Sequence, residues 1–468
     1  MPKFSRRSFL AAGAAMLAKP ALAASVESDV DIVVVGAGAA GIAAARRLAA
    51  AKQRFIVLEA ADHVGGRCVT DTTTFGVPFD RGAHWIHQPD INPLLKPTAP
   101  ASFEVYPAPR GQSLRVGPRP ARDSELENFL AGLVRSHRAI ADAARGKGDM
   151  AAASALPADL GDWRQTIEFV LGPYTCAKEL ASVSAADFAR QPERNFDAFC
   201  RQGYGALLAS LAAGLPVRLS TPVLRVVHGR GIAVDIPAER YYARNAIVTA
   251  STSVLASGKI DFIPPLEKRE LDALDSLKLG SYEHIALELP KNPLGLQRDD
   301  LVFEKSDGER TAALLANVSG TALHVVTIAG KFGRELSAQG EPAMIDFARD
   351  WLASLFGSSV KNAIRRTAAT HWDANPFVLG GFSAAAPDED DARNVLRESL
   401  GGKLWFAGEA THATLWGTVG GAWESGVRTA EAVLRHMGVL KEQEEESEPA
   451  PKKVKRAPQR SRQHRRER

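Results

Sequence analysis

The sequence predicts an α/β architecture in which a parallel-sheet unit is assembled from separated segments and carries an inserted mixed α+β unit. Three observations predict it. The apolar run Ile32-Val33-Val34-Val35 passes into a glycine-rich turn, an alanine-rich helix and a second apolar run, Phe55-Ile56-Val57-Leu58. The chain has 468 residues, beyond the roughly 250–300 at which one hydrophobic core stops growing, so two units are expected. A second glycine-rich stretch, 417–426, lies almost 400 residues away in the chain.

The first turn reads Gly36-Ala37-Gly38-Ala39-Ala40-Gly41 and is answered by Glu59 at the end of the second strand. Gly36 permits the sharp turn, Gly38 lets a pyrophosphate approach the backbone, and Gly41 lets the helix pack on the strand. Ala39 and Ala40 open the helix, whose amino terminus attracts phosphate. Glu59 stands where a carboxylate accepts hydrogen bonds from ribose hydroxyls, which disfavours a 2′-phosphate and hence NADP. This is a Rossmann-like dinucleotide site. The next segment, Asp62-His63-Val64-Gly65-Gly66-Arg67, adds close-approach backbone and a cation, which suits FAD better than NAD.

Composition is that of an ordinary globular protein, 45% hydrophobic and 24% charged. Residues 1–23 hold four basic and no acidic groups, and residues 441–468 ten basic and six acidic. With +4 overall, the body is left at −4, with no basic excess to recruit nucleic acid. Ser5-Arg6-Arg7-Ser8-Phe9-Leu10, a short alanine-rich apolar run and Ala21-Leu22-Ala23 read as a twin-arginine signal peptide over 1–23. Its apolar run is too short for the roughly 20 residues a membrane span requires, so periplasmic or secreted localisation through the twin-arginine export machinery is expected. Residues 441–468 lack a periodic apolar face and are expected to be a disordered charged tail. Cys68, Cys176 and Cys200 do not form a disulfide framework, and no Cys/His spacing suggests a metal.

Between the glycine-rich ends, helical apolar spacing covers 123–137, 163–188, 204–213 and 343–356. Residues 219–234 read as a hairpin, and 282–289 and 322–330 alternate as strands. The resulting division is 29–95, 196–262 and 396–438 for the FAD-binding unit and 96–195 with 263–395 for the substrate unit.

Further motifs are Asp80-Arg81-Gly82-Ala83-His84-Trp85-Ile86-His87, Leu404-Trp405-Phe406-Ala407-Gly408-Glu409-Ala410-Thr411 and Gly417-Thr418-Val419-Gly420-Gly421. With these in order, the chain from about 29 to 436 resembles the flavin-containing amine oxidases. The resemblance implies hydride transfer from the α carbon of a neutral amine to flavin N5, hydrolysis of the imine, and molecular oxygen as acceptor with release of hydrogen peroxide. It implies that Gly36, Gly38 and Gly41 hold the pyrophosphate, Glu59 the ribose, and Gly66 with Arg67 the second phosphate side. Gly82, Ala83, His84 and Trp85 would run beneath the isoalloxazine, and Val223 would contact adenine. Gly408 belongs to the segment of Glu409, which would bind the ribityl or pyrophosphate region; Thr418 and Val419 would begin a helix facing the flavin pyrimidine. Thr418 also fits a simple N-cap.

The chain departs from the family in two places. Gly280-Ser281-Tyr282-Glu283-His284 puts His284 where many relatives hold a water-binding lysine. The second departure is the aromatic cage: Leu415 stands at one expected position, leaving Trp416, Trp423 and Trp372 as candidates. Phe382 lies where monoamine oxidases carry the cysteine that bonds flavin, so non-covalent FAD is expected. His87 matches a substrate-contacting histidine of polyamine oxidases, favouring a polyamine-type substrate. Two other readings stay open here. One is an L-amino acid oxidase or desaturase-like flavoprotein, for which Arg201 or Arg334 could pair a substrate carboxylate; the other is a flavin-binding protein without turnover.

Overall fold

The computed structural model describes residues 29–95, 102–109, 111–192 and 196–441. The leader expected over 1–23 and the charged tail from 442 onward lie outside the described residues. A five-stranded, all-parallel sheet runs in the order Val217–Arg218, Phe55–Leu58, Ile32–Val35, Asn245–Val248 and Leu404–Phe406. Its central strands are buried at every position: one face packs on the helices Ala39–Ala50 and Val419–His436, and the other on residues such as Val226, Val234 and Leu274. The helix Ala39–Ala50 packs on the helix Val419–His436 so tightly that a Cβ at Gly426 would stand 2.1 Å from the Ala40 carbonyl oxygen. The two glycine-rich ends of the chain therefore meet, and Arg47 fastens them further by a 3.0 Å ion pair with Glu431.

The hairpin read over 219–234 forms from Arg225–Val227 and Ile232–Asp235, within a four-stranded sheet; residues 219–224 precede its strands. A seven-stranded sheet is ordered Thr367–Ala369, Tyr282–Glu288, Leu323–Ala329, Ala313–Ala316, Asp300–Glu304, Ser113–Val116 and Arg119–Pro120. Successive side chains of a strand point to opposite faces. Ile285, Leu287, Val326 and Ile328 accordingly pack on Met344, Phe347, Trp351 and Leu352 of the helix Glu341–Phe356, while His284, Val325 and Thr327 face a cavity.

One expected helix is corrected. The stretch 163–188 is broken into Arg164–Phe169, a π-turn Val170–Tyr174, and the short helix Ala185–Ala189. Pro173 has no N–H for the helical ladder, and Gly172 packs where a Cβ would come within 3.0 Å of the Leu180 nitrogen. The break turns Tyr174 and Thr175 into the cavity.

Candidate active site

A cavity of roughly 580 Å³ extends from the first glycine turn to the seven-stranded sheet. At its first end, Gly36 adopts φ +101°, and a Cβ on Gly41 would lie 1.9 Å from the Gly36 carbonyl oxygen. Gly38 differs: a Cβ there would meet nothing nearer than Gly66 Cα at 4.0 Å, so this backbone borders open space. The helix Ala39–Ala50 starts at Gly38 without a side-chain cap, leaving its first-turn amides available to an anion. A pyrophosphate fits this bay by shape and by charge.

Glu59 is buried at the rim, its two carboxylate oxygens accepting from the Ala37 amide at 2.6 Å and the Ala61 amide at 2.8 Å. Gly66 (φ +59°) sits against Gly38. Arg67 donates to the Gly381 carbonyl at 2.7 Å and to Glu409 at 3.0 Å. Glu409 also accepts from the Ser383 hydroxyl at 2.7 Å and the Gly417 amide at 2.9 Å, so this buried carboxylate ties three distant segments together. Gly408, Val223, Thr418 and Val419 line the same cavity. Thr418 caps its helix by accepting from the Gly421 amide at 2.9 Å.

Further along, Gly82, Ala83, His84 and Trp85 form a wall. Gly82 has no room for a Cβ, which would lie 2.0 Å from the Arg67 carbonyl oxygen and 3.2 Å from Trp372. Trp372 itself lines the cavity and donates Nε1–H to the Arg81 carbonyl at 3.0 Å. His84 is held by Asp80 at 2.8 Å through Nδ1, and its ring packs on Phe199 with centroids 4.4 Å apart. Its Nε2 is buried and takes no partner among the described residues.

His284 lines the cavity and is buried. Burial, reinforced by the neighbouring His84, pulls its imidazole down to about 4, so the ring is neutral at physiological pH. His87 lines the cavity beside Asp197, with Nδ1 2.8 Å from Oδ1. The far wall is apolar, made of Leu301, Ala313, Leu315, Val318, Leu323 and Val325. Tyr174, Tyr282 and Phe382 complete it, with Tyr282 and Phe382 centroids 5.3 Å apart.

Trp416 does not belong to this chamber. It is fully buried in a separate core cluster, donates Nε1–H to the Asp187 carbonyl and lies under the Arg393 guanidinium at 4.8 Å. Trp423 is likewise core, packed among Ile86, Leu94 and Tyr204. Of the candidate tryptophans Trp372 does line the cavity, and Tyr174, Tyr282 and Phe382 add further rings, the first delivered by the helix break and the second by strand alternation. That alternation in 282–289 was the available signal for Tyr282; the break offered none beyond Gly172-Pro173. Neither Arg201 nor Arg334 reaches the cavity. Arg201 pairs with Glu104 at 2.7 Å and Arg334 with Asp373 at 3.4 Å, both at the surface. Cys68 is buried at the cavity edge, and burial pushes its thiol well up.

Against known proteins, the model of the flavin containing amine oxidoreductase family matches residues 39–434. The chain belongs to this family. Human lysine-specific histone demethylase 2 is 26% identical over 448 aligned positions, covering 86% of this chain and 53% of that one. Polyamine oxidase 4 of Oryza sativa subsp. japonica is 24% identical, covering 88% of this chain and 90% of that one. The chain thus spans about half the length of the demethylases it matches. Cyclohexylamine oxidase from Brevibacterium oxydans IH-35A superposes with a TM-score of 0.73 at 20% identity, covering 88% of this chain and all of that one. Wild-type putrescine oxidase bound to putrescine gives 0.72 at 18% identity, covering 86% and 99%. These solved structures share the fold. Among the described residues, no helix is long and apolar enough to cross a membrane.

Proposed function

We propose that this chain is an FAD-dependent amine oxidase that holds FAD non-covalently. One observation carries the reading: a single cavity joins an uncapped helix start at Gly38 to an apolar chamber on the seven-stranded sheet. Gly36, Gly38, Ala39, Ala40 and Gly41 would hold the pyrophosphate, Glu59 the adenosine ribose, and Val223 the adenine. Gly66, Arg67, Gly408 and Glu409 would border the flavin end, with Gly82 to Trp85 beneath the ring system and Thr418 and Val419 at its pyrimidine. Bound there, the flavin supplies the two-electron acceptor for the C–H bond beside the amine nitrogen.

The chain's own groups prepare the amine. The apolar wall penalises an ammonium, so the substrate's reacting nitrogen is driven to its neutral form, which alone offers the lone pair the oxidation needs. Neutral His284 places a hydrogen-bonding ring, without charge, where relatives carry a lysine. Phe382 offers no nucleophile at the position of the family's flavin-bonding cysteine, and the one cavity-lining thiol among the described residues, Cys68, is buried and protonated. Segments 29–95, 196–262 and 396–438 then form the cofactor unit, and 96–195 with 263–395 the substrate unit. Oxygen is the proposed acceptor, a polyamine-type amine the proposed substrate, and periplasmic or secreted localisation through the arginine pair Arg6-Arg7 the proposed destination of the folded holoprotein.

Anaerobic addition of mono-, di- and polyamines to the yellow protein tests the reading. Bleaching of the flavin band by an amine, and peroxide on readmitting air, are expected. A protein that stays colourless with added FAD, or yellow with every amine, overturns it. Replacing His284 by Ala slows reoxidation about tenfold in stopped flow; an unchanged rate removes that residue from the oxidative step. Acid precipitation should leave the colour in the supernatant.

A further inference from the structure

Four carboxylates line the cavity, and in three of them both oxygens already accept from the protein. Glu59 is held by two backbone amides. Asp80 accepts from Thr70, His84 and the amides of Tyr204 and Gly205. Glu409 accepts from Arg67, Ser383 and Gly417. The fourth, Asp197, is different. Among the described residues its Oδ1 meets His87 at 2.8 Å, and its Oδ2 has no protein partner although the side chain is 18% exposed.

Its position is fixed by backbone. Asp197 opens the strand Asp197–Cys200, which pairs antiparallel with Ile86–His87 so that His87 and Asp197 stand directly opposite. This short pair follows immediately on the wall Gly82 to Trp85, and Trp85 is braced against Phe199 of the same strand at 4.7 Å. The carboxylate thus lines the cavity one strand register beyond the wall, held by an imidazole, in the same cavity as the apolar residues Leu315, Val318, Leu323 and Val325. Apolar walls explain acceptance of a neutral amine. They do not account for a carboxylate in the same cavity whose second oxygen is left by the described residues to solvent or a ligand.

We infer that Asp197 is a specificity-determining residue that binds a second, cationic group of the substrate, so that the site prefers amines carrying a remote ammonium to simple alkylamines. The inference rests on the amine oxidase reading of the same cavity. The reacting nitrogen is left neutral against the apolar wall while the distal one stays protonated at Asp197, its N–H groups donating to the free oxygen. His87 orients the carboxylate and closes its other side. The bound molecule then has one cationic end and one neutral end, and Asp197 decides which end is which.

The test compares 1,5-diaminopentane with pentylamine, which have the same chain and differ by one amino group. In the wild-type holoenzyme, KM for the diamine lies below that for the monoamine. Asp197→Asn keeps the shape, removes the charge and raises the diamine KM about tenfold, the equivalent of roughly 1.4 kcal/mol, with the pentylamine KM changed less than about twofold. Asp197→Ser gives the same split and covers the case in which the amide is not accommodated. Flavin absorbance and thermal melting report that each variant is loaded and folded. Equal KM changes for both amines, or none for either, overturn the inference while leaving amine oxidation intact. Failure of every amine to bleach the wild-type flavin instead overturns the parent reading.

Discussion

The cavity's first end is walled largely by backbone, with Gly36, Gly38, Gly65, Gly66, Gly82, Gly408 and Gly417 along it, whereas its far end is walled by the side chains of one sheet face. The difference follows from what each end must exclude. At Gly36, Gly65 and Gly82 protein atoms already occupy the place a Cβ would take, so these positions admit glycine alone. A greasy chamber asks only that alternate residues of a strand be apolar, and many residues satisfy that. The first end is therefore intolerant of change and the second free to vary, which places the adjustable part of such an enzyme on its sheet.

The comparison can be broken most forcefully at the junction of the two ends. Arg393 and Asp187 form a buried pair, with Nε to Oδ1 and Nη2 to Oδ2 both at 2.7 Å, and Arg393 also donates to Ser383 and Ala410. Arg393→Ala strands a buried carboxylate and should lower stability by about 4 kcal/mol, read from the urea midpoint of unfolding. A loss under about 1 kcal/mol would show that the ends stand independently. Next comes Gly41→Ala, whose added carbon meets the Gly36 carbonyl oxygen. It should lower stability by about 3 kcal/mol and yield colourless protein; a stable yellow variant would contradict the backbone-wall account.

Acid gives a smaller effect, and it acts on the sheet end. His284 and His324 are both buried and pulled down to about 4 by desolvation. Below the ordinary imidazole value the unfolded chain takes up protons that the folded chain refuses. Stability is therefore lost as pH falls from about 6.5 toward 4, by roughly 2 kcal/mol per ring at pH 5. The buried carboxylates Glu283 and Glu304, whose values are raised by burial, act in the opposite sense. Comparing urea midpoints of His324→Leu and the wild type at pH 7.5 and 5 isolates the imidazole; parallel losses in both proteins would refute it. The smallest change is at Gly38. With open space at its Cβ position and φ −75°, Gly38→Ala should shift apo stability by no more than about 0.5 kcal/mol while weakening FAD binding in a fluorescence titration. Unaltered binding would mean that this bay does not receive the pyrophosphate.

How legible each end was in the sequence follows the same division. Gly36 to Gly41, Glu59 and the strands around them could be read directly, because a strand, a turn without Cβ atoms and a helix are local in the chain. Strands 282–289 and 322–330 were legible through alternation, to within one residue at each end. Trp416 was misplaced because an aromatic residue beside a cofactor motif serves equally as core, and its burial against the Asp187–Arg393 pair shows which. Tyr174 was invisible because a π-turn at Pro173 sets its direction. Asp197 went unnoticed because its meaning lies in which other carboxylates are already occupied, and pairing across 110 positions leaves no local mark.

The knot at Glu409 has a consequence for biosynthesis. Arg67 emerges from the ribosome more than 300 residues before the carboxylate that receives it, and the helix that clasps the first turn ends only at His436. A nascent polypeptide consequently lacks Glu409 and the closing helix for most of its translation. With FAD bound as proposed, its capture would await that helix, and prematurely terminated products should be pale and vulnerable to proteases.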